Sequence, residues 1–133
     1  MFKVRKLKED DYEELVGWWK ANRFSPPPQD HLPERGACGL MIYKDNINIC
    51  AGFLYFTNSK ICHLEFIVAN FYYREKDRPE AIQTVITELT DLARRKGFKT
   101  VFTSLKNENL INHYEQCGYI KGSKGTTEMI INL

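Results

Sequence analysis

The sequence has little of what marks several large classes of protein. No apolar run approaches the roughly 20 residues that a membrane-spanning helix needs. Basic and acidic residues nearly balance, 19 against 17, for a net charge of +2. Phosphate binding normally needs a concentrated basic surface, so nucleic acid is not expected as a partner, and the lack of a long apolar run argues against a membrane. No repeat, low-complexity tract or linker interrupts the chain, and residues 1–133 are expected to form one domain.

The cysteines follow neither a metal-binding nor a secreted-protein pattern. Four are present, and no two of them have the short spacing of a zinc site: Cys38, Cys50, Cys62 and Cys117. Because no signal peptide is recognisable, we expect reduced thiols in a cytoplasmic protein and no bound metal. Hydrophobic residues make up 43% of the chain, too many for a disordered protein and enough for a core.

What the chain does contain is a strand, a polar loop and a strongly periodic helix in direct succession. Residues 61–69 are almost wholly apolar, residues 70–78 are polar, and residues 79–96 carry apolar side chains at helical spacing. Asp77 and Glu80 have the spacing of a capping box at the start of this helix. The first turn of a helix leaves backbone N–H groups unpaired and favours an anion, so this order suits phosphate binding.

Strict alternation divides the strand at residues 61–69 into two unlike faces. One face is apolar, with Cys62, Leu64, Phe66 and Val68. The other face carries His63 and Glu65 in mid-strand. A carboxylate and an imidazole on one face of a central strand indicate a cleft, and the alternative is an exposed sheet face.

The remaining elements predict an α/β fold, a mixed and mostly antiparallel sheet with helices on both faces. A strand at residues 2–7 precedes a helix capped by Asp10 and Asp11, with Glu14 in a capping box. Strands at 39–43 and 47–56 continue into the strand at 61–69 as a meander, and Ala51-Gly52 permits a bulge or a close backbone approach. The proline-rich segment at 25–28 is either a substrate rim or a plain connector.

The C-terminal third is expected to complete the sheet. A strand at residues 98–105 should lie parallel to the strand at 61–69, because a helix connects them. Asn107 then caps a second helix that ends at Gly118. Residues 119–120 and 126–132 are expected to be the last strands.

One segment of the second helix carries a family resemblance. Residues 107–119, NENLINHYEQCGY, resemble the second signature of the GNAT-type N-acetyltransferase superfamily. That signature is an Asn, a small or apolar residue three positions on, and then Tyr-Glu-Lys-x-Gly-Phe. Gln116 replaces the usual Lys and Tyr119 the usual Phe, and the order of elements matches over essentially the whole chain. The resemblance implies acetyl transfer from acetyl-CoA to a primary amine of a small molecule, a peptide or a protein.

The resemblance also implies where acetyl-CoA would bind. The family's pyrophosphate loop usually reads R/Q-x-x-G-x-G/A, whereas residues 74–79, REKDRP, contain no glycine. The added acid at Asp77 and the missing amide donor of Pro79 both oppose diphosphate binding. A GNAT-like domain without turnover, which binds acyl-CoA or another protein, is therefore the alternative. The implied cofactor-binding residues are Ile67, Val68, Ala69, Arg74, Lys76, Asp77, Arg78 and Asn107.

The resemblance assigns catalytic roles as well. Tyr114 matches the family's general acid, and its reference pKa of about 10 lies above the value of about 8.5 for a thiol. The alternative is that Tyr114 only packs its helix onto the sheet. Glu65 or His63 would be the base that takes the amine proton, with His31 and His113 as weaker candidates. A homodimer is one state that the sequence allows.

Overall fold

The computed structural model describes residues 1–133 and contains one five-stranded sheet. The strands lie in the order of the chain: β1 (Lys3–Lys6), β2 (Gly39–Lys44), β3 (Ile47–Tyr55), β4 (Ile61–Ala69) and β5 (Thr100–Phe102). β1 to β4 pair with one another in antiparallel order, and β5 pairs with β4 in parallel. The predicted mixed, mostly antiparallel sheet is confirmed.

Three α-helices cover the two faces of the sheet. They are α1 (Tyr12–Ala21), α2 (Arg78–Arg95) and α3 (Glu108–Gln116), and short 3-10 turns lie at Glu9–Asp11, Gln29–His31 and Pro33–Gly36. On one face, α1 packs a core that includes Trp19, Phe53 and Val68. On the other face, α2 and α3 share a core that includes Ile86 and Tyr114. None of the helices combines the length and the apolar character that a membrane span requires.

A β-bulge interrupts β4 and overturns the predicted alternation of its side chains. Ala51 pairs with Val68 and Phe53 with Glu65, so two residues of β4 lie opposite the single residue Gly52. The irregularity occurs where Ala51-Gly52 permits a bulge or a close approach, but the extra residue lies on β4 and not on β3. Before it, Cys62 and Leu64 face α2; after it, Val68 joins the α1 core instead. The prediction of one apolar face from residue 62 to residue 68 was therefore wrong.

Both predicted capping boxes are also wrong, because longer-range partners occupy the capping carboxylates. The side chain of Asp11 makes no cap to α1 and instead accepts two hydrogen bonds from the Arg5 guanidinium, each 2.9 Å long. The side chain of Asp77 makes no cap to α2, although the helix begins where expected. The glycine stop is confirmed, since Gly97 has a φ of +90°.

The C-terminal part of the chain has less strand than its sequence predicts. β5 covers three residues, whereas the pattern predicts eight at positions 98–105. Neither residues 119–120 nor residues 126–132 form a strand. A sequence with a strand pattern forms a strand only where a neighbouring strand supplies hydrogen bonds, and no strand of the sheet pairs with these residues.

Candidate active site

The site begins where β4 and β5 separate. Their parallel pairing runs only from Ile61 to His63 on β4, so the rest of that edge of β4 has no neighbouring strand. On the opposite edge, the N–H of Asn70 donates to the Ile49 carbonyl at 2.7 Å. Because adjacent backbone groups of a strand point to opposite edges, the N–H and carbonyl of Ala69 point to the open edge of β4.

Two features hold this open edge in place. The side-chain amide of Asn22, at the end of α1, donates to the carbonyl of Ala69 at 3.1 Å. Phe66 has a φ of +58°, which is unusual for a residue with a side chain, and its ring packs edge-on against Trp19 at 6.5 Å. Since a bulge bends its strand, Phe66 helps to fix the direction of residues 67–69.

Glu65 lies at the start of the open edge, on the face of the sheet that α1 covers. Its Oε1 accepts a hydrogen bond of 3.2 Å from the hydroxyl of Thr103, just beyond the end of β5. Burial raises the pKa of the Glu65 carboxyl, while the Thr103 hydrogen bond and nearby His63 partly offset that effect. A half-buried carboxylate with a raised pKa is more basic than one in water, as a proton acceptor requires.

His63 shares that face but has a different setting. Its ring lies 5.9 Å from the ring of Phe102, and no hydrogen bond fixes its side chain. The structure thus brings both predicted base candidates together and positions only Glu65 by a hydrogen bond.

Tyr114 reaches the same region from the other face of the sheet. It is only 2% exposed, and its ring packs edge-on against Tyr119 at 4.9 Å. Burial raises the pKa of the Tyr114 phenol well above its ordinary value, and the nearby Thr103 hydroxyl offsets part of the rise. The group is therefore protonated at neutral pH and can donate a proton.

Thr103 is the residue that sequence reasoning missed. Its hydroxyl is close enough to both Glu65 and Tyr114 to affect the pKa of each. The available signal was its place inside a predicted strand next to the strand with the acid, but a single Thr has no distinctive spacing. The three residues surround the point where β4 and β5 part.

The loop between β4 and α2 is tied to the protein through Asp77. Its carboxylate accepts hydrogen bonds from Lys44 Nζ at 2.8 Å and from the Tyr73 hydroxyl at 2.7 Å. Both bonds, that to Lys44 first, lower the pKa of Asp77. Because these partners occupy the carboxylate, Asp77 holds the loop in place, and its role in binding the cofactor stays a prediction.

Arg78, the first residue of α2, has an unsatisfied donor. Its Nε is buried and has no hydrogen-bond partner. Burial and the neighbouring Arg74 both lower the pKa of its guanidinium. The same charge contributes, after burial, to lowering the pKa of His113, whose Nδ1 lies 3.1 Å from the side-chain amide of Gln83. A guanidinium without a counter-ion at a helix N-terminus suits an anionic ligand.

The other predicted residues take simpler positions. Lys76 is exposed on the loop, and Arg74 stacks its guanidinium 4.4 Å from the ring centre of Phe71. Asn107 caps α3, since its Oδ1 accepts the N–H of Leu110 at 3.0 Å. His31 is exposed in a 3-10 turn, where its carbonyl accepts a hydrogen bond from the Tyr55 hydroxyl and its N–H donates to the Pro28 carbonyl.

Comparisons with known proteins define the fold. No family model and no curated protein matches the sequence. The ribosomal-protein-S18-alanine N-acetyltransferase from Escherichia coli matches with a TM-score of 0.75 and 13% identity, over 92% of this chain and 80% of that one. The glucosamine-6-phosphate N-acetyltransferase from Arabidopsis thaliana gives 0.65 and 16%, over 98% and 99%. The N-acetylglutamate synthase from Neisseria gonorrhoeae, complexed with coenzyme A and L-arginine, gives 0.74 and 11%, over 96% and 29%.

The chain therefore has the fold of the GNAT-type acetyltransferases. The resemblance carried by residues 107–119 is confirmed at the level of the fold, including the mixed sheet and its helices. Identities of 11–16% establish the fold and leave the reaction to be argued from this chain's own residues.

Proposed function

We propose that this protein is an acetyl-CoA-dependent N-acetyltransferase that acts on a primary amine. The observation that carries the proposal is the open edge of β4, which begins beside a half-buried acid, Glu65, and a buried phenol, Tyr114. Glu65 lies on the α1 face and Tyr114 in the core on the α2 face, so they approach this edge from opposite sides. A base and an acid on opposite sides of one slot suit a transfer reaction.

The residues present fit acetyl-CoA. We propose that the backbone at Ile67 and Ala69 binds its arm, because the Ala69 N–H points to the open edge. The diphosphate would lie at the start of α2, where the buried Nε of Arg78 lacks a partner. Arg74 and Lys76 would add positive charge from the loop. Asn107 contributes by fixing the start of α3, the helix that carries Tyr114.

The chemistry then divides among three groups of this chain. Acetyl-CoA supplies an acetyl group activated as a thioester. The Glu65 carboxylate accepts the proton that the attacking amine loses, and its raised pKa makes this transfer easier. The backbone N–H at the open edge of β4 donates to the carbonyl oxygen as negative charge develops there. The Tyr114 hydroxyl donates a proton to the departing sulfur.

A second candidate function rests on the loop at residues 74–79. It has no glycine, and Asp77 places a carboxylate next to the proposed diphosphate position. Pro79 also lacks the backbone donor that a helix N-terminus offers an anion. A domain that binds an acyl-CoA or a protein without turnover is therefore the alternative.

The acceptor is proposed only as a primary amine of a small molecule, peptide or protein. The names of the matched structures refer to a ribosomal-protein alanine and to glucosamine 6-phosphate, two acceptors of different chemistry. We further propose action in the cytoplasm, where the four free cysteines would remain reduced.

Cofactor binding is tested by thermal denaturation with acetyl-CoA. A ligand held by the native state alone raises the unfolding midpoint by mass action. We expect a saturable rise for the wild type and a smaller rise for Arg78→Gln, which loses the unpartnered guanidinium. Arg95→Gln, at the exposed far end of α2, is the matched control and should behave as the wild type. No rise at millimolar acetyl-CoA would contradict the proposed function and the acyl-CoA-binding alternative.

A further inference from the structure

We propose that the acceptor is an aliphatic amine with a second positive charge, and that it binds on the α1 face of the sheet beside Glu65. The inference rests on the proposed function and narrows its acceptor from any primary amine to one chemistry. That chemistry is an ammonium group at the end of an alkyl chain with another cation nearby. A free diamine or polyamine has it, and so does a lysine side chain in a basic peptide.

Paired strands place a row of ring side chains on this face. Tyr55 on β3 lies opposite His63 on β4, and His63 lies beside Phe102 on β5. Paired residues of neighbouring strands share a face, so these three side chains stand in one row. Glu65 lies opposite Phe53, a residue of the α1 core. Since residues two apart in a strand share a face, the row and Glu65 both lie on the α1 face.

The rings lie close together, and α1 leaves part of them open. The ring centres of His63 and Phe102 are 5.9 Å apart, and those of Tyr55 and Phe66 are 6.4 Å apart. The Tyr55 hydroxyl donates to the carbonyl of His31 at 2.9 Å, which fixes its ring. Phe102 is 54% exposed. We call these four residues, Tyr55, His63, Phe66 and Phe102, the aromatic floor.

The charge beside the aromatic floor is mainly negative. Burial, and after it the charge of Glu65, raises the pKa of Tyr55 to about 12. A second carboxylate, Glu128, adds to the rise in the pKa of Glu65, of which burial is the main cause. The basic group that acts on Glu65 is His63, and no lysine or arginine is among the groups that shift either pKa. Two carboxylates beside ring faces favour a cation and repel a phosphate or carboxylate.

An alkylammonium ion matches this surface. With a reference pKa of about 10.4, such an amine is protonated when it binds at neutral pH. Its charge is attracted to Glu65 and to the ring faces, and its methylene groups can pack along the rings. The second cation would then be attracted to Glu128. An acceptor with a phosphate or carboxylate at its far end would be repelled at the same place.

The proton balance of the transfer agrees with a charged acceptor. The ammonium loses one proton to become nucleophilic, and a second as the C–N bond forms and the C–S bond breaks. Glu65 accepts these protons in turn and passes one to solvent. The other restores the proton that Tyr114 gives to the coenzyme A sulfur. Acetylation therefore removes one positive charge from the acceptor, so the product binds the aromatic floor more weakly and can leave.

The first test compares three amines at saturating acetyl-CoA. Diaminobutane, butylamine and γ-aminobutyrate share a four-carbon chain and end in an ammonium, a methyl group and a carboxylate. We expect kcat/KM to fall in that order, by about two- to fivefold at each step, as for exposed charge pairs. A peptide with a blocked N-terminus and one lysine between arginines shows whether the better source is a free amine or a peptide. Equal values for the three amines, or the reverse order, would overturn the proposal.

The second test removes a ring face. Phe102→Leu keeps an apolar side chain, so we expect little change in kcat and a rise of about two- to fivefold in KM for diaminobutane, the effect of one exposed cation–π contact. Phe56→Leu is the matched control. Phe56 is 41% exposed and stacks on Phe98, which packs against the core on the α2 face. An unchanged KM in Phe102→Leu, or an equal rise in the control, would contradict the aromatic floor.

A binding measurement separates failure of this inference from failure of the proposed function. Diaminobutane is titrated into the protein without acetyl-CoA while the ring resonances of His63 and Tyr55 are followed by NMR. We expect saturable shifts in the wild type and weaker binding in Phe102→Leu. Saturable shifts without acetylation of any amine would refute the acetyltransferase and support the cation site. Acetylation without these shifts and without the expected order of amines would support the enzyme and overturn the cation site.

Discussion

Thr103 donates a hydrogen bond of 3.2 Å to Oε1 of Glu65 across the point where β4 and β5 separate. The bond orients a half-buried carboxylate whose pKa is raised mainly by burial. Thr103 thus positions the proposed base, while its own location depends on where β5 ends. The end of the β4–β5 pairing therefore opens the gap and also places Thr103 where it can orient Glu65 beside that gap.

Glu65→Gln should reduce turnover and leave the fold intact. We expect turnover to fall by about 10²–10⁴-fold, the usual range for a positioned acid or base. Because the folded-state pKa of Glu65 is raised from 4.5, its stabilising effect is complete below pH 4.5 and is lost as the pH rises through the folded-state value. The melting temperature of Glu65→Gln minus that of the wild type should therefore be larger at neutral pH than at acidic pH.

Thermal denaturation across this pH range, together with a turnover assay, checks both parts. Glu115→Gln, an exposed change on α3, is the control and should alter neither. Unchanged turnover in Glu65→Gln would exclude Glu65 as the base and direct attention to His63.

Gly52→Ala should test the bulge in β4. A Cβ at Gly52 would lie 2.8 Å from Leu89 Cδ1 and 3.0 Å from Ile67 Cγ1, closer than packed atoms tolerate. Overpacking of this kind costs about 1–3 kcal/mol. Because Ile67 lies in the bulge, we also expect weaker acetyl-CoA binding. Chemical denaturation and titration calorimetry measure the two effects. Gly17→Ala, where an added Cβ meets nothing within 4 Å, is the control.

The helices and the meander could be predicted from sequence because their signals are local. The apolar spacing of α2 and the turn at residues 44–46 place these elements without knowledge of the rest of the fold. The two capping-box predictions were wrong because the fold brings other partners to the capping side chains. Asp11 and Asp77 have the right spacing, yet their carboxylates bind Arg5 and Lys44, which the sheet brings to them.

The candidate site could be predicted only in part for the same physical reason. Glu65, His63 and Tyr114 were identifiable by residue type and motif. The bulge places a positive φ on Phe66, a residue type that gives no such signal in sequence. That bulge moves Val68 to the α1 core, and Thr103 becomes relevant only where β5 ends.

Asn107→Ala should destabilise the protein by about 1 kcal/mol, because its side chain caps α3. If the start of α3 also contributes to the cofactor site, affinity for acetyl-CoA should fall as well. Denaturant unfolding and calorimetry separate the two effects. Asn112→Ala, exposed within the same helix, is the matched control. Lower stability with unchanged affinity would limit Asn107 to its capping role.

Asp77→Asn should lower stability at neutral pH and have little effect in acid. The folded-state pKa of Asp77 is lowered from 3.8, so its contribution is present above pH 3.8 and is lost as the pH falls through the folded-state value. The asparagine can still accept the Tyr73 hydroxyl, so the change isolates the ion pair with Lys44. Melting curves from neutral to acidic pH test this, with the exposed Asp30→Asn as control. If the difference in melting temperature between Asp77→Asn and the wild type did not change with pH, the ion pair of Asp77 with Lys44 would not be its cause.

The most direct test is a mass-spectrometric screen for acetylated products over a panel of primary amines, using wild-type protein and Tyr114→Phe. The variant keeps the buried ring and removes a single hydroxyl, which lies near that of Thr103, so stability and acetyl-CoA binding should change little. We predict acetylation by the wild type and a fall of about 10²–10⁴-fold in kcat for Tyr114→Phe, with a smaller change in KM. Full activity in Tyr114→Phe, or acetyl-CoA binding by the wild type without acetylation of any amine, would contradict the account.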